Sequence, residues 1–165
     1  MNHFPKAQLS YNEIMAVCKE VETHFAGLFE LKEFSNSAAG KAVFFCVPGK
    51  PCSTFHVEVL KGSDPKKATK SFSRFTRFGL HSEIKQEYEG IRGGTVHNDN
   101  ARNLRVVNQL KEQIKRPGDY VREKWAYDGY GFMKVYDKNG VSEAQLFSDL
   151  KCFLYELKEI YVDQN

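Results

Sequence analysis

Apolar positions along this chain alternate between a helical and a strand period, and the switches between the two mark its elements. Ile14, Val17, Val21, Phe25 and Leu28 recur three or four residues apart, the spacing that lines one helical face. Ser10-Tyr11-Asn12-Glu13 ahead of them is a capping box, with Ser10 bonding forward and Glu13 reaching back. The helix is expected to end near Gly27. From Leu28 to Phe34 apolar and charged residues alternate, as in a half-buried strand. Asn36 to Gly40 reads as a turn and Ala42 to Val47 as an apolar strand, broken by Pro48-Gly49-Lys50-Pro51. Thr54 to Leu60 is a third strand, with Phe55, Val57 and Val59 on one face and His56 and Glu58 on the other.

The segment 65–78 has helical punctuation. Asp64 stands at an N-cap position, Pro65 at the first helical position and Gly79 where a left-handed cap belongs. Leu80 to Tyr88 alternates again, with His81, Glu83, Lys85 and Glu87 on one side. A glycine-rich stretch from Gly90 leads to a helix with Leu104, Val107, Leu110 and Ile114 on one face, ended by Pro117-Gly118. Trp125 to Tyr136 is expected to form a hairpin turned at Asp128-Gly129. The last helix opens at Ser142 with Gln145 completing the box, and Leu146, Leu150, Phe153, Leu157 and Ile160 form its seam. The pattern predicts one α+β domain over residues 1–165, with a largely antiparallel sheet of about five to six strands and three or four helices packed on it.

Composition narrows the class. At 165 residues and 41% apolar content the chain has a folding rather than a disordered composition. No apolar run approaches the ~20 residues of a membrane span, and the first residues do not follow a signal-peptide pattern, so a cytoplasmic protein is expected. Cys18, Cys46, Cys52 and Cys152 make no CxxC pair, and His3, His24, His56, His81 and His97 are scattered. On that spacing no metal site and no cofactor is expected. Cys18 and Cys152 fall on apolar helical faces and read as buried free thiols.

Charge changes the picture more. Residues 1–60 carry a net −1, residues 61–124 a net +7 and residues 125–165 a net −3. A middle third this basic inside a chain of net +3 implies a patch that attracts a polyanion. On a helix over 65–78, Lys67, Lys70, Arg74 and Arg77 form one stripe about 15 Å long, with Lys66 beside it and Phe72, Phe75 and Phe78 on a neighbouring stripe. Arg92, Arg102 and Arg105 extend the basic surface if the fold gathers them. The expectation is a non-enzymatic protein binding nucleic acid, duplex or single strand, or another polyanion. Backbone contact is favoured over base reading, since Lys and Arg outnumber Asn and Gln in the segment.

Two alternatives stand beside it. Glu83-Ile84-Lys85, with Asp64 or Glu58 as a further carboxylate, is the residue set of a Mg²⁺-dependent nuclease of the restriction-endonuclease type. The aromatic hairpin with Trp125, Tyr127, Tyr130 and Tyr136 suits a small protein that binds and modulates a partner protein. GxSxG, P-loop, GxGxxG and HExxH motifs are absent from the sequence.

Overall fold

The computed structural model describes residues 1–36, 40–52, 55–64, 66–68, 71–82, 103–110, 112, 120–124 and 130–161. Among the described residues three helices, α1 (Tyr11–His24), α2 (103–110) and α3 (Glu143–Tyr161), accompany six strands. The strands are β1 (Glu30–Asn36), β2 (Gly40–Cys46), β3 (Phe55–Leu60), β4 (Arg77–Ser82), β5 (Tyr120–Lys124) and β6 (Tyr130–Val135). They make one sheet in the order β1-β2-β3-β4-β6-β5, antiparallel at every pairing. The fold is therefore α+β, as the pattern predicts.

Local chemistry accounts for the ends of the elements. The capping box at α1 is complete: the Glu13 amide donates to Ser10 Oγ at 3.1 Å, and Glu13 Oε1 accepts from the Ser10 amide at 3.2 Å. At α3 the Gln145 amide donates to Ser142 Oγ at 3.0 Å. Before α3 the chain turns at Gly140, whose φ of +76° and position against the Lys6 carbonyl exclude a side chain. That approach lets Lys6 and Val141 pair as an antiparallel bridge, which ties the N-terminal segment to the start of α3.

The strand period distributes the core over two faces. Val43, Phe45, Val57, Val59, Phe78 and Leu80 share one cluster with Val17 and Val21 of α1, Val107 and Leu110 of α2, and Leu150 and Phe153 of α3. Phe45, Phe55 and Phe78 are among its largest fully buried side chains, each contributing roughly 1.5–3 kcal/mol by burial. On the opposite face Ala42, Phe44, Cys46, Leu60 and Met133 form a second cluster. Every β3 side chain is buried, so its polar residues are buried with it.

The helix expected over 65–78 does not form. Asp64 caps only a single turn: its carbonyl accepts from the amides of Lys67 and Ala68, and its Oδ1 from that of Lys66. The Ser63 amide then donates to the Ser73 carbonyl at 2.6 Å, closing a loop, and Ser71–Arg74 makes one 3-10 turn. Phe78 and Leu80 reach the core at the strand period of two, and Gly79 is no helix cap but lies inside β4 opposite Glu58. Burying both side chains in β4 also gives β3 and β6 their common ladder partner, which a helix could not do. The hairpin near the end is present, but its first strand is Tyr120–Lys124, upstream of the predicted start at Trp125. Cys152, expected to be buried, is exposed, because it sits beside the α3 seam rather than on it; Cys18 is buried as expected.

Candidate metal centre

The site is built by the alternation of β3 and its register with β4. With Phe55, Val57 and Val59 turned to the helices, His56 and Glu58 project from the other face, two residues and one pleat apart. Antiparallel pairing then sets His81 directly across from His56 and Gly79 directly across from Glu58. Side chains at paired positions share a face, so two imidazoles and a carboxylate converge. Gly79 has no side chain to fill the space beside the carboxylate.

One potential ligand atom from each of His56, Glu58 and His81 lies within 4.8 Å of the other two, and among the described residues this is the one such cluster of three or more. His56 Nε2 and Glu58 Oε2 are 3.6 Å apart, with side-chain exposures of only 2% and 7%. That separation is too long for a hydrogen bond. His56 Nε2 and Glu58 Oε1 are buried without any hydrogen-bond partner. Leaving a buried polar atom unpaired costs about 1–3 kcal/mol, and more for a charged one, so this cluster carries an unmet demand for a cation or a proton.

The surroundings orient the donors. His56 Nδ1 lies 2.5 Å from the Cys52 carbonyl, which can only accept, so Nδ1 carries a proton and Nε2 is the ring atom turned toward Glu58. The His56 ring stacks on Phe44 at 3.8 Å between centroids, and Phe44 stacks on Phe34 at 4.7 Å. The His81 ring stands nearly perpendicular to that of His56, at 85° and 4.8 Å. Burial pushes the His81 imidazole down to about 4, His56 adds to the fall, and Glu58 opposes it. His81 is thus neutral at neutral pH, the form that ligates metal.

A tetrahedral ion with bonds of about 2.0–2.1 Å sets its ligand atoms about 3.3 Å apart. The His56–Glu58 separation of 3.6 Å is close to this, and the widest pair, at no more than 4.8 Å, needs a contraction of at most about 1.5 Å. Two imidazole nitrogens and a carboxylate suit zinc, iron and their first-row neighbours better than magnesium or calcium, which favour all-oxygen shells.

The basic residues singled out from the sequence do not form one stripe. Lys66 and Lys67 are exposed on the Asp64 turn, Arg74 is exposed at the end of the 3-10 turn, and Arg105 is exposed on α2. Arg77 is buried on β4, where its Nη1 donates to the carbonyls of Ser73 and Phe75 at 3.2 and 3.3 Å. Phe78 faces the core against Phe153 rather than outward. Lys70, Arg92, Arg102, Glu83 and Lys85 lie outside the described residues. The histidines that read as scattered are brought together in part: His56 and His81 are 25 positions apart in the chain and paired in the sheet. The signal in the sequence was His56-x-Glu58 on one strand face; its missing half was the strand beside it. Cys46 and Cys52 form a disulfide that the spacing did not signal. No described helix is long and apolar enough to cross a membrane.

No protein-family model matches the sequence, and comparison with curated proteins and with solved structures returns no match.

Proposed function

We propose that this protein binds a first-row transition-metal ion through His56, Glu58 and His81. The observation that carries the reading is the convergence of three donors, two buried and His81 half-buried, within 4.8 Å of one another, with buried atoms of His56 and Glu58 lacking hydrogen-bond partners. Three protein ligands leave a coordination position for water or substrate, which is the habit of catalytic rather than closed structural centres. The buried sheet face around the site would supply the low dielectric in which such an ion polarises a bound oxygen most strongly.

The test is calorimetric titration of metal-free protein with Zn²⁺, Co²⁺ and, without oxygen, Fe²⁺. One ion per chain is expected, with Mg²⁺ binding far more weakly. Loss of a second-shell partner costs roughly 10–100-fold in metal affinity, so His81→Ala or Glu58→Gln should cost at least about 100-fold. Failure of all three ions to bind, or binding that survives His56→Ala with His81→Ala, overturns the reading. If the cluster holds only a shared proton, the imidazole resonances will move with pH and stay unmoved by metal.

A second reading retains polyanion contact. The Ser63–Ser73 closure and the Gln8 side chain, which donates to the carbonyls of Ser63 and Arg74, hold Lys66, Lys67 and Arg74 on one pinned and exposed loop. Such a loop can contact phosphates without reading bases. Titration with duplex and single-stranded nucleic acid across a salt series tests it, with Arg74→Ala expected to flatten the salt slope by about one. We also propose a cytoplasmic setting, and trapping the thiols directly in cells tests it.

A further inference from the structure

Cys46 and Cys52, six positions apart with Cα atoms separated by 4.9 Å, close the turn containing Pro48, Gly49 and Pro51. Both ends of this disulfide reach His56. Cys46 is its cross-strand partner in the β2–β3 ladder, and the Cys52 carbonyl accepts the proton of its Nδ1. The same two cysteines line an open groove of about 750 Å³, walled by the end of α1 at Glu22, the start of β1 at Glu30, and Pro48 and Lys50 of the turn. Cys52 is partly exposed there, whereas His56 and Glu58 are buried. A thiol in solution can therefore reach the disulfide without entering the metal site.

We propose that the Cys46–Cys52 disulfide is a redox control on the His56 ligand, with Cys52 as a positioning residue. The inference rests on the metal-binding reading above. In the reaction, a thiolate of a dithiol reductant attacks Cys52 Sγ from the groove. The S–S bond breaks, Cys46 leaves as a thiolate and takes up a proton, and a mixed disulfide forms on Cys52. The reductant's second thiolate displaces Cys52, which is protonated in turn. Two electrons and two protons pass to the protein, and the reductant leaves as its own disulfide. The turn then loses the cross-link that holds the Cys52 carbonyl over Nδ1. Without that acceptor the imidazole samples its other tautomer and orientation, and its Nε2 becomes the poorer ligand. Reduction should release metal and oxidation should retain it.

The experiment compares Co²⁺ affinity in the oxidised protein, the phosphine-reduced protein and the Cys46→Ala with Cys52→Ala variant. Reduction and the double variant should each weaken Co²⁺ by about 10–100-fold at unchanged one-to-one stoichiometry, the loss expected when a ligand's second-shell partner goes. The visible cobalt spectrum should change with them. In the metal-free protein the hydrogen-bonded Nδ1–H resonance of His56 should vanish on reduction, while the unfolding midpoint of the rest of the fold stays cooperative. Equal affinity in all three forms overturns the proposal. So does tighter binding with a thiolate-to-cobalt charge-transfer band, since Cys46 would then be a ligand in the reduced state. If cobalt binds none of the forms, the metal reading falls. The redox link is then decided by the Nδ1–H signal alone, and its survival through reduction refutes the link.

Discussion

His56 and His81 face each other as a cross-strand pair, their rings 4.8 Å apart and nearly perpendicular, with Glu58 one pleat along from His56. The pairing is a consequence of register: a shift of one residue in the β3–β4 ladder would turn His81 into the helix-facing core and carry Leu80 out of it. The hydrophobic demand of Phe78 and Leu80 therefore fixes the position of a polar side chain on the opposite face.

A buried carboxylate kept for binding should cost stability when nothing is bound. Glu58 Oε1 has no hydrogen-bond partner, and Glu58 is only 5% exposed. In metal-free protein Glu58→Gln should be neutral or stabilising by about 1–2 kcal/mol, because it removes a buried charge at nearly constant volume. With Zn²⁺ present the sign should invert, since only the native protein gains the binding free energy. Urea denaturation with and without metal checks this; a substitution that destabilises both forms equally would assign Glu58 a purely structural role.

Much of this was legible in the sequence. The capping box of α1, the Ser142 cap of α3, the meander of the first three strands, and the placement of His56 with Glu58 on one face of β3 all follow from short-range periodicity, which local chemistry controls. Gln145, expected to complete a second box, instead donates its side-chain amide to Asp149. What the pattern concealed was adjacency. Asp64, Pro65 and the three-residue spacing of Phe72, Phe75 and Phe78 imitate a helix, and a helix there separates β3 from the strand carrying His81. The imitation fails because Phe78 serves a sheet that has an apolar face to complete on both sides of β4, a demand set by residues far away in the chain. The disulfide was hidden for the same reason: Cys46 and Cys52 approach only because the turn between them folds back onto β3.

Arg74, at the end of the 3-10 turn, and Arg77, at the start of β4, should separate cleanly in their effects. Arg77 is buried and donates to two backbone carbonyls, so Arg77→Ala leaves both acceptors short and opens a gap beside Leu60, its cross-strand partner. A loss of about 2 kcal/mol is expected. Arg74 is exposed, and Arg74→Ala should stay within about 0.5 kcal/mol. Chemical denaturation of the two variants decides the matter; equal effects would mean that Arg77 is not the structural member of the pair.

Thiol chemistry gives an independent reading of the cysteines. Cys152 is exposed and Cys18 is buried, with burial raising the Cys18 thiol far above its ordinary pKa. A thiol-specific reagent should therefore modify one cysteine in the native protein, two after denaturation without reductant, and all four after reduction and denaturation. A second reactive thiol in the native state, mapped to the partly exposed Cys52, would mean that Cys46 and Cys52 are reduced in the protein as isolated.

The start of α1 carries a pH dependence of known sign. The Lys6 ammonium, 3.0 Å from Glu13 Oε1, and the capping bonds to Ser10 together hold the Glu13 carboxyl below its ordinary value of 4.5. A carboxylate depressed in the folded state adds stability that is complete above the unfolded pKa and disappears as pH falls through the folded one. Glu13→Gln keeps a side-chain acceptor for the capping box but removes the charge. The variant should be less stable than the parent near pH 7, and the gap should begin to close as pH drops below 4.5 and vanish once Glu13 is protonated. Raising salt at pH 7 should narrow the same gap, because the ion pair is half-exposed and screened. Denaturation midpoints across the acid range test the assignment, and a gap that widens with acid would contradict it.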